Sequence, residues 1–172
     1  KILALILVFL LVCSLAACGG PAADATKDEA KPELVMGTNA AFPPYEYYAE
    51  DGETIIGIDA EIAQAVADKL GMTLTIKDME FDSLLTAVQS GAVDIVFAGL
   101  TVNDERKQSV DFSITYATGV QVIIVPNDSK IASVDDLAGK TIGVQAGTTG
   151  DIYCTDDYGQ ENVKQFQNGA LA

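Results

Sequence analysis

Apolar positions along this chain switch between two periods. Short runs at 34–37, 93–98, 120–125 and 141–145, and the alternation of Leu74 and Ile76 with polar neighbours, have the length and residue types of strands. Helical spacing separates them. Ile62, Val66 and Leu70 share one face after Asp59, which can cap, and Gly71 stands where a left-handed residue ends a helix. Asp82 opens a second such segment, with Leu84, Leu85 and Val88 facing inward and Gly91 beyond its end. Asn103 or Asp104 starts a third helix, and Ser133 with Asp136 makes a capping-box pattern ahead of Leu137. Strand and helix in this repeated order predict an α/β fold with mostly parallel sheets, whose ligands sit at the carboxyl ends of the strands.

The front of the chain follows a different rule. Residues 2–12 are apolar without interruption after Lys1, too few to span a bilayer comfortably, and they lead into Leu15-Ala16-Ala17-Cys18-Gly19. A positive start, a short apolar core and small residues at its end mark a secretory signal peptide, here 1–17. The last five residues resemble a bacterial lipobox, which implies cleavage before Cys18 and its acylation; an ordinary signal peptide cut at an Ala is the alternative. Two acyl chains give a stable hold, since each buried CH₂ contributes about 0.8 kcal/mol. Residues 18–33, rich in Ala, Gly, Asp, Lys and Pro, read as a flexible tether, and the folded body starts near Leu34.

Composition and charge narrow the chemistry. Among 172 residues, 10 Lys and Arg stand against 25 Asp and Glu, a net charge of −15 with no basic cluster, which disfavours nucleic acid as a partner. The absence of His removes the usual general base of Ser and Cys hydrolases and most zinc sites, so no catalytic residue, metal or cofactor is expected. Gly139-Lys140-Thr141 has no Gly at position 134 and precedes a strand, so it is a turn and not a phosphate loop. No G-x-G-x-x-G occurs. With Cys13 removed and Cys18 acylated, Cys154 is left alone, without a His to activate it.

Polar and aromatic residues cluster just after the strands. Phe42, Tyr45 and the two prolines between them follow the first strand; Gly99, Thr101 and Arg106 follow the 93–98 run; Thr148 and Thr149 follow the 141–145 run. Helix-start N–H groups, hydroxyls and one Arg would hold a carboxylate, and aromatic faces would hold an ammonium or an apolar side chain. Those two needs describe a free amino acid.

Five blocks then carry a resemblance: Thr38-Asn39-Ala40-Ala41-Phe42-Pro43-Pro44-Tyr45, Gly57-Ile58-Asp59-Ala60-Glu61, Glu80-Phe81-Asp82-Ser83-Leu84, Thr101-Val102-Asn103-Asp104-Glu105-Arg106, and Gly143-Val144-Gln145-Ala146-Gly147-Thr148-Thr149-Gly150. In this order they resemble the polar amino-acid-binding proteins of bacterial ABC importers, solute-binding protein family 3. The resemblance implies a two-lobed periplasmic-binding-protein-like type II fold that closes on one amino acid, with 34–118 as first lobe and 119–172 as hinge crossing and part of a second lobe. It implies that Arg106 pairs with the ligand carboxylate, helped by Thr101, the Gly99 backbone, Thr148 and Thr149. Phe42 and Phe81 would flank the ligand side chain, Asn39 would touch its polar end, Tyr45 would line the cleft, and Gln145 stands where relatives carry a charge. It further implies a monomer, an ABC permease as partner, and a place on the outer face of the cell membrane, the periplasmic side where an outer membrane exists. The family's acidic ammonium ligand and returning segment are not found in these 172 residues, so the second lobe is expected to be incomplete. A cyclohexadienyl dehydratase-like enzyme on the same fold, acting on prephenate or arogenate, and a ligand-binding sensor module are the alternatives.

Overall fold

A computed structural model describes residues 31–172. The signal peptide, Cys18 and all but the last residues of the tether lie outside the described residues. In chain order the elements are β1 (Glu33–Thr38), β2 (Ala41–Phe42), β3 (Glu46–Tyr48), β4 (Ile55–Ile56), α1 (Ile58–Leu70), β5 (Thr73–Asp78), α2 (Leu84–Gln89), β6 (Ile95–Val96), β7 (Ile142–Gln145), α3 (Thr149–Tyr158) and β8 (Val163–Phe166). They form an α/β fold whose main sheet is parallel, in the order β5-β1-β6, with β1 central. A second parallel pair is β7-β8, and the antiparallel β2-β3-β4 ribbon stands apart from both.

Register follows the buried face. Leu34 aligns with Leu74 and Met36 with Ile76, and Met36, Ala63 and Phe97 form a core ringed by Ile62, Leu74, Ile76 and Ile95. The helix α1 meets the sheet through Ala60, Ala63 and Ala67, while Leu70 is 60% exposed. The core stripe is therefore the alanine row and not the Ile62, Val66, Leu70 row. Small side chains let the helix axis approach the sheet, and Ile62 and Val66 flank the contact half-buried. Gly71 ends α1 in the left-handed conformation, at φ 70°.

The aspartates expected to cap do other work. Gly57, not Asp59, precedes α1, and Asp59 lies fully buried inside the first turn. Asp82 sits within a 3₁₀ turn, Phe81–Ser83, that leads into α2 without a side-chain cap. The capping box of Ser133 and Asp136 is present, on the 3₁₀ turn Val134–Leu137.

Three expected elements are shorter than their apolar runs or missing. Of 93–98, only Ile95 and Val96 pair with β1. The third helix is a single 3₁₀ turn, Arg106–Gln108, opened by Asn103, whose Oδ1 accepts the Arg106 N–H at 2.8 Å. Residues 120–125 form no strand: Val120 and Ile124 are 82% and 91% exposed, and no ladder partner lies beside them among the described residues. A β-branched run makes a strand only when its backbone groups find a neighbour. Conversely, the β2-β3-β4 ribbon, α3 and β8 were not legible. The ribbon's strands are two or three residues long, and α3 carries few apolar residues.

Candidate ligand-binding site

Arg106 anchors the site. Its side chain is 5% exposed, and its guanidinium donates from Nη1 to the Thr101 carbonyl at 2.7 Å and from Nη2 to the Gly147 carbonyl at 2.9 Å. The Phe81 ring lies 5.8 Å beneath Cζ. No carboxylate pairs with it: the single ion pair among the described residues is Lys107 with Asp104, exposed, at 3.2 Å. Burial lowers the Arg106 pKa from its ordinary value, with the Glu105 charge opposing. A buried cation that keeps unused donors and lacks a counter-ion is a site for an anion.

The turn facing Arg106 is built by α3. Thr148 caps that helix, its Oγ1 accepting from Asp151 N–H at 3.2 Å and donating to the Gln145 carbonyl at 2.8 Å. Asp151, buried, accepts from the Gly147 N–H at 2.9 Å and from Gln165 Nε2 at 2.7 Å. The backbone N–H groups of Thr149 and Gly150 reach no backbone carbonyl, as the first-turn donors of a helix do. Thr149 Oγ1 accepts from Gln121 Nε2 at 3.0 Å. Gly147 has φ +73°, and a Cβ there would stand 2.9 Å from Asp82 Cβ, so the turn fits closely against the 3₁₀ turn.

Gln145 and Asn39 meet directly, Nε2 to Oδ1 at 2.9 Å, although 106 positions separate them. Asn39 is fixed in turn by donating to the Met79 carbonyl at 2.9 Å. Phe42, half exposed, stacks on Tyr45 with centroids 5.4 Å apart and planes at 12°. The same Phe42 ring covers Gly99, where a Cβ would meet it at 3.1 Å.

The structure thus gathers Arg106, Phe81, Thr101, Gly147 and Thr148 in one cluster, with Asn39 and Gln145 joined to each other. Phe42, Tyr45, Gly99, Thr101 and Thr149 line an adjoining open groove of about 970 Å³, which Arg106, Phe81, Asn39, Gln145 and Thr148 do not line. The groove extends along the exposed 109–121 segment, so its volume measures uncovered surface there as well as the site. One backbone role changes. The Gly99 N–H donates to Asp59 Oδ2 at 2.8 Å, which leaves the Gly99 carbonyl as its free group, suited to an ammonium and not to a carboxylate.

Sequence reasoning missed Glu46, Asp59, Tyr116 and Asp151. Thr148-x-x-Asp151 is a capping signature that could have marked α3 and its aspartate. Nothing in the local sequence marks Glu46 as buried. Among the described residues no group of His, Cys, Asp and Glu is placed to hold a metal ion, and no helix is long and apolar enough to cross a membrane.

Residues 34–171 match the model of the bacterial extracellular solute-binding proteins, family 3. The chain belongs to that family. It is 42% identical over 148 residues to the arginine-binding extracellular protein ArtP of Bacillus subtilis, covering 86% of this chain and 56% of that one. Among solved structures it is similar to the substrate-binding protein of an amino acid ABC transporter, at 47% identity and a TM-score of 0.76, over 81% of this chain and 62% of that one. It is also similar to the arginine-, lysine-, histidine-binding protein ArtJ of Geobacillus stearothermophilus, at 38% identity and a TM-score of 0.75, over 81% and 60%. The chain therefore spans 56 to 62% of the lengths of these three proteins. The fold is the periplasmic-binding-protein-like type II fold, as the resemblance implied.

Proposed function

We propose that this chain belongs to an extracytoplasmic solute-binding lipoprotein that captures a free polar amino acid by lobe closure and delivers it to an ABC importer permease. The observation that carries the reading is Arg106: a buried guanidinium, fixed by two carbonyls, without a carboxylate of its own. An α-carboxylate supplies the missing charge, with the open α3 N–H groups and Thr149 beside it. The Gly99 carbonyl accepts from the α-ammonium, and the Phe42–Tyr45 stack and Phe81 flank the side chain. Asn39 and Gln145 set the polar end, joining the first lobe, 34–118, to the hinge crossing and partial second lobe, 119–172.

Closure follows from contacts made on both sides of the ligand: a molecule that bridges residues before and after the crossing shifts the population toward the closed state. ArtP and ArtJ are named for basic amino acids, and the net charge of −15 favours the approach of such ligands, so arginine, lysine and histidine head the panel to be tried. Cys18 is the acylated residue that holds the protein, as a monomer, on the outer face of the membrane.

A thermal-shift screen of every proteinogenic amino acid tests this reading. A rise in melting temperature with one or a few of them, absent in Arg106→Ala, is the expected result. Folded protein that responds to no amino acid, or that turns over prephenate or arogenate, would overturn it.

A further inference from the structure

Two carboxyl groups that ligand binding does not use lie in the interior. Glu46 on β3 is 1% exposed and Asp59 on α1 is fully buried, yet Glu46 Oε2 and Asp59 Oδ1 reach no hydrogen-bond partner. The two residues are neighbours in space: the Asp59 N–H donates at 2.9 Å to the carbonyl of Tyr45, which directly precedes Glu46. Two ionised carboxylates in that position would repel, and each would leave an acceptor unsatisfied; one proton between them answers both problems at once.

The groups that face Glu46 supply no positive charge. They are Asp59 from α1 and Tyr116 from the segment after Arg106, and Tyr45 stands near Tyr116 in turn. Among the described residues, neither carboxylate is within ion-pair distance of a Lys or Arg. Burial, followed by the hydrogen bond and charge of Asp59, pushes the Glu46 pKa up to about 9.

The other oxygen of the pair faces the site. Asp59 Oδ2 accepts from the Gly99 N–H at 2.8 Å and from the Tyr116 hydroxyl at 3.1 Å. Burial, then Asp59, Glu46 and Tyr45, raise the pKa of Tyr116, so its hydroxyl stays a donor. Tyr116 also packs on Phe97 of the core, with centroids 5.9 Å apart, and lines the groove beside Phe42 and Gly99. The pair thus ties α1 and the ribbon to the strand end that presents Gly99.

We propose that Glu46 stays protonated and offers its proton to Asp59, and that this acid pair is the positioning element that fixes Gly99 and Tyr116 beside the ligand. It rests on the amino-acid-binding reading for its effect on ligand, but not for the proton itself. Loss of the proton places two charges in the interior, and the arrangement that binds becomes the minor one. Apparent affinity then falls in proportion to the fraction still protonated, roughly tenfold one pH unit above the midpoint.

Infrared spectroscopy of the unliganded full chain tests the proton directly. The carbonyl stretch of a protonated carboxylic acid is expected at neutral pH, to bleach on alkaline titration with a midpoint near 9, and to be missing in Glu46→Gln. Because the titration uses the wild-type chain, it does not depend on the variant folding. Calorimetric binding of L-arginine across the same range reads the positioning role: deprotonation of the ligand's own α-ammonium weakens binding to both proteins, and wild-type affinity declines more steeply than that of Glu46→Gln, which has no proton to lose there. A spectrum without the band overturns the protonated Glu46, and an equal decline in Glu46→Gln overturns the positioning role. Wild-type protein that shows the band but binds no amino acid at any pH upholds the pair and contradicts the functional reading instead.

Discussion

Arg106 holds its place because each neighbour is itself fixed. Asn103 accepts its backbone N–H, Thr101 and Gly147 accept its guanidinium, and Asp151 holds the Gly147 turn by its N–H. Removing one partner of a desolvated charge pair costs several kcal/mol, so Arg106→Ala should weaken the amino acid identified by the screen by about a hundredfold or more, measured by titration calorimetry. Arg106→Lys should recover only part of the loss, because an ammonium cannot donate in the same planar fork. Glu46 sets a second expectation. Its ordinary pKa near 4.5 rises to about 9, so between those values the folded chain keeps a proton that the unfolded chain has released. Stability therefore declines as pH rises across that window. Urea unfolding at about pH 6 and about pH 8.5 should show this decline, and Glu46→Gln should flatten it.

Among the elements, the junction of the ribbon with α1 is the most constrained. Ile58 N–H donates to the Pro44 carbonyl at 3.1 Å and Asp59 N–H to the Tyr45 carbonyl at 2.9 Å, which draws the helix start onto the loop. Gly57, at φ +124°, permits this: a Cβ there would stand 2.3 Å from the Tyr45 carbonyl oxygen. Gly57→Ala should destabilise the chain by about 2 kcal/mol and, by moving Asp59, weaken ligand binding as well. In α2, Leu84 is fully buried and Leu85 half-buried, so Leu84→Ala should cost about 3 kcal/mol in urea unfolding and Leu85→Ala distinctly less. These contrasts also show what the sequence could reveal. The short runs 34–37 and 141–145 foretold β1 and β7, and the alternation of Leu74 and Ile76 foretold β5; of these only β1 is central in its sheet. The Arg106 and Thr148 positions were legible because polar residues after strands face the ligand edge. The ribbon was not, since two-residue strands have no period, and neither was the burial of Glu46, which depends on Asp59 thirteen positions away. Residues 120–125 misled, because β-branched composition cannot say whether a partner strand is at hand.

At the scale of the whole molecule, the proposed lipid anchor and the proposed amino-acid site are tested separately. Cys18→Ala should abolish incorporation of labelled fatty acid in a lipoprotein-forming bacterium and release the protein from the membrane fraction. The net charge of −15 should make association with cationic amino acids faster at low salt than at high salt. The central claim is that a ligand carboxylate completes the charge of Arg106. Calorimetric titration of the full chain with the amino acid that gives the largest thermal shift, and with the amine formed by its decarboxylation, tests that claim most directly. The account predicts tight binding of the amino acid and a loss of about a hundredfold or more for the amine. Equal affinity for the two would contradict it.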